Sequence, residues 1–239
     1  MPASRFFVPA AIVLVLCSAP PAQARDSSLH AITGLFAHPD GHALEEGDLV
    51  AGVTYRDDDN TGDWEWIPSV AAGVAEHWEL GAWYVLSSES AESGGISAKY
   101  ELHSLTFGPE DLALSAYYVG RSQQGADHHR LGAAATIDFP AGLGMEGIRE
   151  AEATLGVFYD LATGGDEGDG DAGEGIDYFV GLQMPLSANL TAVLEYEPEA
   201  GVVQGEGWSA GLRYDFGPWL LQAGYESRED PFIGGQWRF

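Results

Sequence analysis

From Asp48 onward the chain runs in segments of roughly ten residues that alternate apolar with polar or small residues, the period of a strand with two unlike faces. In the first, Leu49, Ala51, Val53 and Tyr55 share one face and Val50, Gly52, Thr54 and Arg56 the other. Near Ile96 the apolar set is Ile96, Ala98, Tyr100 and Leu102, against Ser97, Lys99, Glu101 and His103. Leu131, Ala133, Ala135, Ile137 and Phe139 oppose Arg130, Gly132, Thr136 and Asp138. Trp208, Ala210, Leu212, Tyr214 and Phe216 oppose Ser209, Gly211, Arg213 and Asp215. Continued along the chain, the pattern predicts about twelve strands: 48–56, 66–75, 78–87, 95–103, 111–120, 129–139, 150–160, 176–185, 188–197, 206–215, 218–227 and 232–239. Ten or fourteen strands fit the alternation as well.

A soluble antiparallel sheet also alternates. Two details point to a membrane instead. Aromatics gather at strand ends (Tyr55, Trp78, Tyr84, Tyr118, Tyr159, Tyr178, Tyr196, Trp208, Tyr214, Tyr225, Trp237), as an interfacial girdle does. The polar face is rich in Gly and Ser, which suits a crowded barrel interior. No water reaches the hydrocarbon, so every backbone N–H and C=O must pair within the protein, and closing the sheet removes its edges.

The connections sort into two sets. Glu76-His77, 104–110, 140–149, Leu186-Ser187 and Gly217 alternate with the longer, more acidic 57–65, 88–94, 121–128, 161–175, 199–206 and 228–231. Short periplasmic turns and long outer loops are what an outer-membrane barrel requires. The last strand, with Ile233, Trp237 and Phe239 on one face and Gly234, Gln236 and Arg238 on the other, resembles the closing strand of Gram-negative outer-membrane β-barrels, which ends on an aromatic. The resemblance implies that Trp237 and Phe239 serve as the signal to the barrel-assembly machinery. At the other end, Arg5, the apolar run 6–16 and Ala22-Gln23-Ala24 form a signal peptide over 1–24. The predicted architecture is an all-β, closed, antiparallel up-and-down transmembrane barrel over 48–239. A periplasmic lead, 25–47, precedes it and can tuck into the lumen as a partial plug.

Composition narrows the function. Thirty-seven acidic residues against ten basic ones give a net charge of −27, which excludes nucleic acid as a partner. Cys17 is the one cysteine and lies in the leader, so the mature chain offers no thiolate chemistry. The lumen is expected to collect Arg56, Lys99, Glu101, Arg130, Asp138, Glu152, Asp160, Glu195, Glu197, Arg213, Asp215, Glu226 and Arg238, either as a charged solute path or as a paired, filled interior. A bore of about twelve strands suits a narrow or filled lumen.

Asp57-Asp58-Asp59-Asn60-Thr61-Gly62-Asp63 imitates half of a calcium loop, but its twelfth position is Pro68, where a Glu is required. The acidic stretch 166–174 also lacks the spacing. Both read first as solvated loops, with weak divalent-cation binding as the alternative. His30, His38 and His42 lie in the lead and His128-His129 in an outer loop; Pro39 and Gly41 keep His38 and His42 off a common helix face. No G-x-S-x-G elbow or other motif joins a Ser to a His, so no catalytic residues, metal or cofactor are assigned.

Ile32-Thr33-Gly34-Leu35-Phe36-Ala37-His38-Pro39, followed by Leu44-Glu45-Glu46-Gly47, resembles the opening of outer-membrane barrels associated with exopolysaccharide production. His38-Pro39-Asp40 stands where that family usually has polar-Pro-Thr, and the chain is shorter than the family's. The resemblance implies a barrel working beside an envelope polysaccharide system. The expected function is a non-enzymatic one in the outer membrane: a narrow porin-like channel or an accessory barrel of polysaccharide export. The alternatives are a structural or adhesive barrel with acidic, cation-binding loops and, further off, a lipid-modifying enzyme. The expected partners are outer-membrane lipid and lipopolysaccharide, the assembly machinery, and export components or divalent cations.

Overall fold

The computed structural model describes residue 34 and residues 37–58, 63–87, 93–107, 110–123, 126–139, 151–163, 174–198, 207–227 and 230–239. Twelve strands follow one another: β1 (Leu49–Asp58), β2 (Asp63–Ala75), β3 (Trp78–Ser87), β4 (Ser93–Phe107), β5 (Glu110–Gln123), β6 (Ala126–Phe139), β7 (Ala151–Thr163), β8 (Glu174–Pro185), β9 (Leu190–Glu197), β10 (Gly207–Phe216), β11 (Trp219–Glu226) and β12 (Asp230–Arg238). Each pairs antiparallel with its neighbours, and β1 pairs with β12 to close the cylinder. The seam is fully zipped, from Val50 opposite Arg238 to Arg56 opposite Phe232. Leu49 and Phe239 exchange backbone hydrogen bonds at its end (2.9 and 3.4 Å).

Alternation decides which face each residue takes. Ile96, Leu131, Ile176 and Ile233 are each three-fifths to two-thirds exposed on the outer surface, which also carries Trp64, Trp66, Trp78, Trp208 and Trp219. An apolar outer surface of this kind is stable only against acyl chains, since water would leave a large exposed hydrophobic patch. At the closing strand, Trp237 packs edge-on against Trp219 (3.8 Å between ring centroids) and stacks on Phe239 (5.5 Å). Inside, the small and polar residues Thr54, Ser97, Ser115, Thr136 and Thr154 are buried. The interior is not uniformly polar, however. Tyr117, Ala134, Phe158, Phe179, Val193 and Phe232 form a buried apolar cluster on the inner wall.

Several strands outrun their predicted ends. β4 has 15 residues and β5 has 14, whereas a tilted strand crosses hydrocarbon in roughly 9–11. Beyond the bilayer nothing forces the ladder apart, so pairing continues as a hairpin. The expected turn over 104–110 is therefore mostly strand. The expected loop over 121–128 becomes the paired ends of β5 and β6, with His128 and His129 in β6 rather than in a loop. Asp57 and Asp58 likewise pair with Trp64 and Asp63 as a hairpin, not as the arms of a calcium loop. The connections 140–149 and 199–206 lie outside the described residues, as does all of the acidic stretch 166–174 but Glu174, which accepts a hydrogen bond from Tyr159 (2.6 Å). At the opposite end the turns are tight: His77 (φ 66°) and Gly217 (φ 76°) take the left-handed conformation that two-residue reversals demand.

Candidate functional site: the barrel lumen

Two arcs of the inner wall satisfy their charges differently. Along one, side chains of adjacent strands, or of strands one apart, pair with each other. Arg56 reaches Glu65 at 2.6 Å and Glu226 at 3.6 Å. Arg130 grips Asp160 through two hydrogen bonds of 2.8 Å, the bidentate geometry that makes guanidinium–carboxylate pairs strong. Gln183 donates to Glu152 (2.8 Å) and accepts from Arg213 (3.0 Å), while Arg238 donates to Asp215 (3.0 Å). Arg56–Glu65, Arg130–Asp160 and Glu152–Gln183 are direct register partners, so these contacts follow from strand pairing alone.

The other arc, from β3 to β6 with β9, is satisfied by the segment ahead of β1. Ala37 donates its N–H to both carboxylate oxygens of Glu195 (3.1 Å each), and His38 donates to one of them (3.2 Å). The hydroxyl of Ser209 closes on the same carboxylate. Gly41 donates to Thr136 (2.8 Å), Ala43 to Glu101 (3.0 Å) and Leu44 to Glu79 (3.1 Å). In the other direction, the Asp40 carboxylate meets Lys99 Nζ (3.2 Å), which also lies 3.8 Å from Glu79, and the Asp40 carbonyl accepts from Ser115 (2.7 Å). His42 Nε2 stands 3.4 Å from Asp138. Leu44 packs into a small cluster with Val50 and Ala71.

The fit is close. A side chain at Gly41 would strike the Ala113 carbonyl, and one at Gly73 would strike the Glu45 carbonyl. Nothing larger than glycine lets the segment lie this near the wall. A buried carboxylate is costly unless hydrogen-bonded, and here an irregular chain supplies N–H donors that no strand can spare, because strand N–H groups are committed to the ladder.

His38 is held most closely. Its ring stacks on Phe179 (4.3 Å, 20°) and lies 6.1 Å from Phe158. Nε2 is 3.3 Å from Glu197 and Nδ1 is 3.8 Å from Glu195. Neither ring nitrogen makes an aligned hydrogen bond, so the contact is one of charge rather than of direction. Burial disfavours the imidazolium, but the carboxylates of Glu195 and Glu197 outweigh it and hold the ring's pKa above its ordinary 6.5. Behind Phe158, the Arg130 guanidinium sits 3.7 Å from the ring centroid.

The structure brings Lys99, Glu101, Asp138 and Glu195, with Glu197, to the segment that enters the lumen. It places Arg56, Arg130, Glu152, Asp160, Arg213, Asp215, Glu226 and Arg238 in contacts within the wall. Glu79 and Phe179 escaped the sequence reading, although Trp78 and Leu80 outward imply Glu79 inward, and Tyr178 and Val180 outward imply Phe179 inward. His129 pairs with Tyr118 (2.8 Å). His30 lies outside the described residues.

No family model matches the chain, and no curated protein does. Solved structures do. A KdgM porin in complex with disordered oligogalacturonate is 12% identical, with a TM-score of 0.57, over 80% of this chain and 99% of that one. A second KdgM porin structure gives 0.54 at 12% identity over the same shares. Omp33 of Acinetobacter baumannii gives 0.45 at 8% identity, over 80% and 97%. The fold is thus that of outer-membrane porin barrels. None of these three similarities concerns exopolysaccharide production, which the opening residues suggested.

Proposed function

We propose that this chain is a narrow, porin-like channel of the outer membrane, closed by its own lead segment. One observation carries the reading: Ala37–Leu44 crosses the lumen by donating backbone N–H groups to the wall carboxylates of Glu195, Glu101 and Glu79 and to the Thr136 hydroxyl. A barrel whose interior only had to be filled would do so with pairs built into the wall, as Arg130–Asp160 is. A separate, irregular segment held by donor–acceptor contacts can leave without breaking a strand ladder. The porin folds of the neighbours agree with a conduit, though their likeness supports architecture alone.

Planar bilayers test this. The unaltered mature chain is expected to conduct in rare, small openings. Gly41→Val and Gly73→Val, which crowd the segment at two separate points along its path, are each expected to raise open probability. If both variants fold, as judged by resistance to detergent unfolding, and remain electrically silent, the chain is not a channel.

A further inference from the structure

The wall around His38 has the composition of a receptor for an organic cation. Phe179 offers an aromatic face, Glu195 and Glu197 bracket the space above it, and the imidazole fills that space with its nitrogens toward the carboxylates. A cation over a ring face between two acids is the arrangement that recognises ammonium groups, because the ring quadrupole and the carboxylates attract the same charge. Two details show that the imidazole is an imperfect occupant. Its nitrogens lack aligned hydrogen bonds. The Tyr117 hydroxyl, in a residue 2% exposed within the same cluster as Phe158 and Phe179, has no hydrogen-bond partner among the described residues. An ammonium carries three donors where the imidazolium has two, one more than the two carboxylates require.

The charge balance excludes an anion. The nearby cation, Arg130, is already taken by Asp160 through both oxygens. Buried Asp177 lies two residues from Phe179 on the same strand face and brings no cation to the patch. With the lead displaced, Glu79, Glu101 and Asp138 would continue the acidic wall toward the short-turn end, against Lys99.

We propose that this patch is the channel's solute site for amine-bearing organic cations, and that His38 is an internal competitor which holds the site until such a solute displaces it. The inference rests on the channel reading for its role in transport, but binding can be measured without conduction.

The probe is spermine, with trigalacturonate as the anionic comparison, on the complete mature chain in detergent and in planar bilayers. Calorimetry on His38→Ala, which empties the patch and leaves the wall intact, should show spermine binding at least tenfold tighter than in the unaltered chain. Glu195→Gln/Glu197→Gln in the His38→Ala background should abolish it. His38→Lys, which tethers an ammonium in the patch, should restore the weak binding of the unaltered chain. Should His38→Ala bind trigalacturonate but not spermine, or bind spermine no better than the double Gln variant, the site assignment fails. Spermine binding by calorimetry in a barrel that never conducts would leave the site standing and overturn the channel. Current through His38→Ala that spermine does not block would overturn the site and leave the channel.

Discussion

The two arcs of the inner wall differ in where their partners come from. The arc carrying Arg56, Glu65 and Glu226, with the Arg130–Asp160 fork, is complete within the barrel, each charge answered from an adjacent strand or the next one over. The arc carrying Glu79, Glu101, Thr136 and Glu195 is answered by residues 37–44, far away in sequence. The first kind of contact belongs to the cylinder itself and stays with it. The second can be exchanged for another donor of similar chemistry. A wall that leaves its acids for a detachable segment to satisfy is built to be vacated.

Lysine 99 should break the contrast most visibly. Its ammonium is buried between Asp40 and Glu79, and Lys99→Met would leave two carboxylates without their cation. Urea unfolding from lipid vesicles should show a loss of about 3–5 kcal/mol. Arg56→Met, on the self-sufficient arc, strands Glu65 and Glu226 where some solvent reaches them. It should cost about 1–2 kcal/mol and leave the lead in place. Equal losses would mean that the arcs do not differ.

Glu195→Gln sharpens the contrast without disturbing the barrel. The amide keeps the size of the side chain but loses the charge that Ala37, His38 and Ser209 share. Residues 25–239 contain no cysteine, so in that stretch a reporter at Ala43→Cys reads departure of the lead. Labelling by a polar maleimide should rise about tenfold, the equivalent of one charge-assisted hydrogen bond, with barrel unfolding unchanged.

The smallest effect is that of pH. His38 faces Glu195 and Glu197 from β9 and Arg130 from β6. Its pKa is raised in the folded state, so its contact is fully present below 6.5 and is lost as pH climbs through the raised value. Labelling at Ala43→Cys should therefore rise a few-fold across that interval and stay flat in His38→Ala. A flat profile in both would remove His38 from the closure.

The alternation of Leu131, Ala133, Ala135 and Ile137 made the barrel readable from sequence, because a period of two fixes which face meets lipid. The same period put Arg130 and Asp160 on the inside, and strand pairing then joined them. It could not reveal that Glu195 would serve Ala37, since that contact spans 158 positions and passes through a segment with no periodicity. Strand ends were misread at β4, β5 and β6, where hydrogen bonding runs past the apolar stretch that marked the boundary. Phe158 and Phe179 fall on the inward face by the same period, but alternation says nothing of what an inner aromatic will stack on, here His38.

Whether the lead truly lies inside the folded cylinder is tested most directly by the maleimide reactivity of Ala43→Cys in the otherwise unaltered chain. Ala43 is buried against Glu101 and the inner wall. Its cysteine should react about a hundredfold more slowly in the folded barrel than in the urea-unfolded chain, the protection expected of a segment held by a few kilocalories. Equal rates in the two states would place the lead outside the lumen and contradict the account.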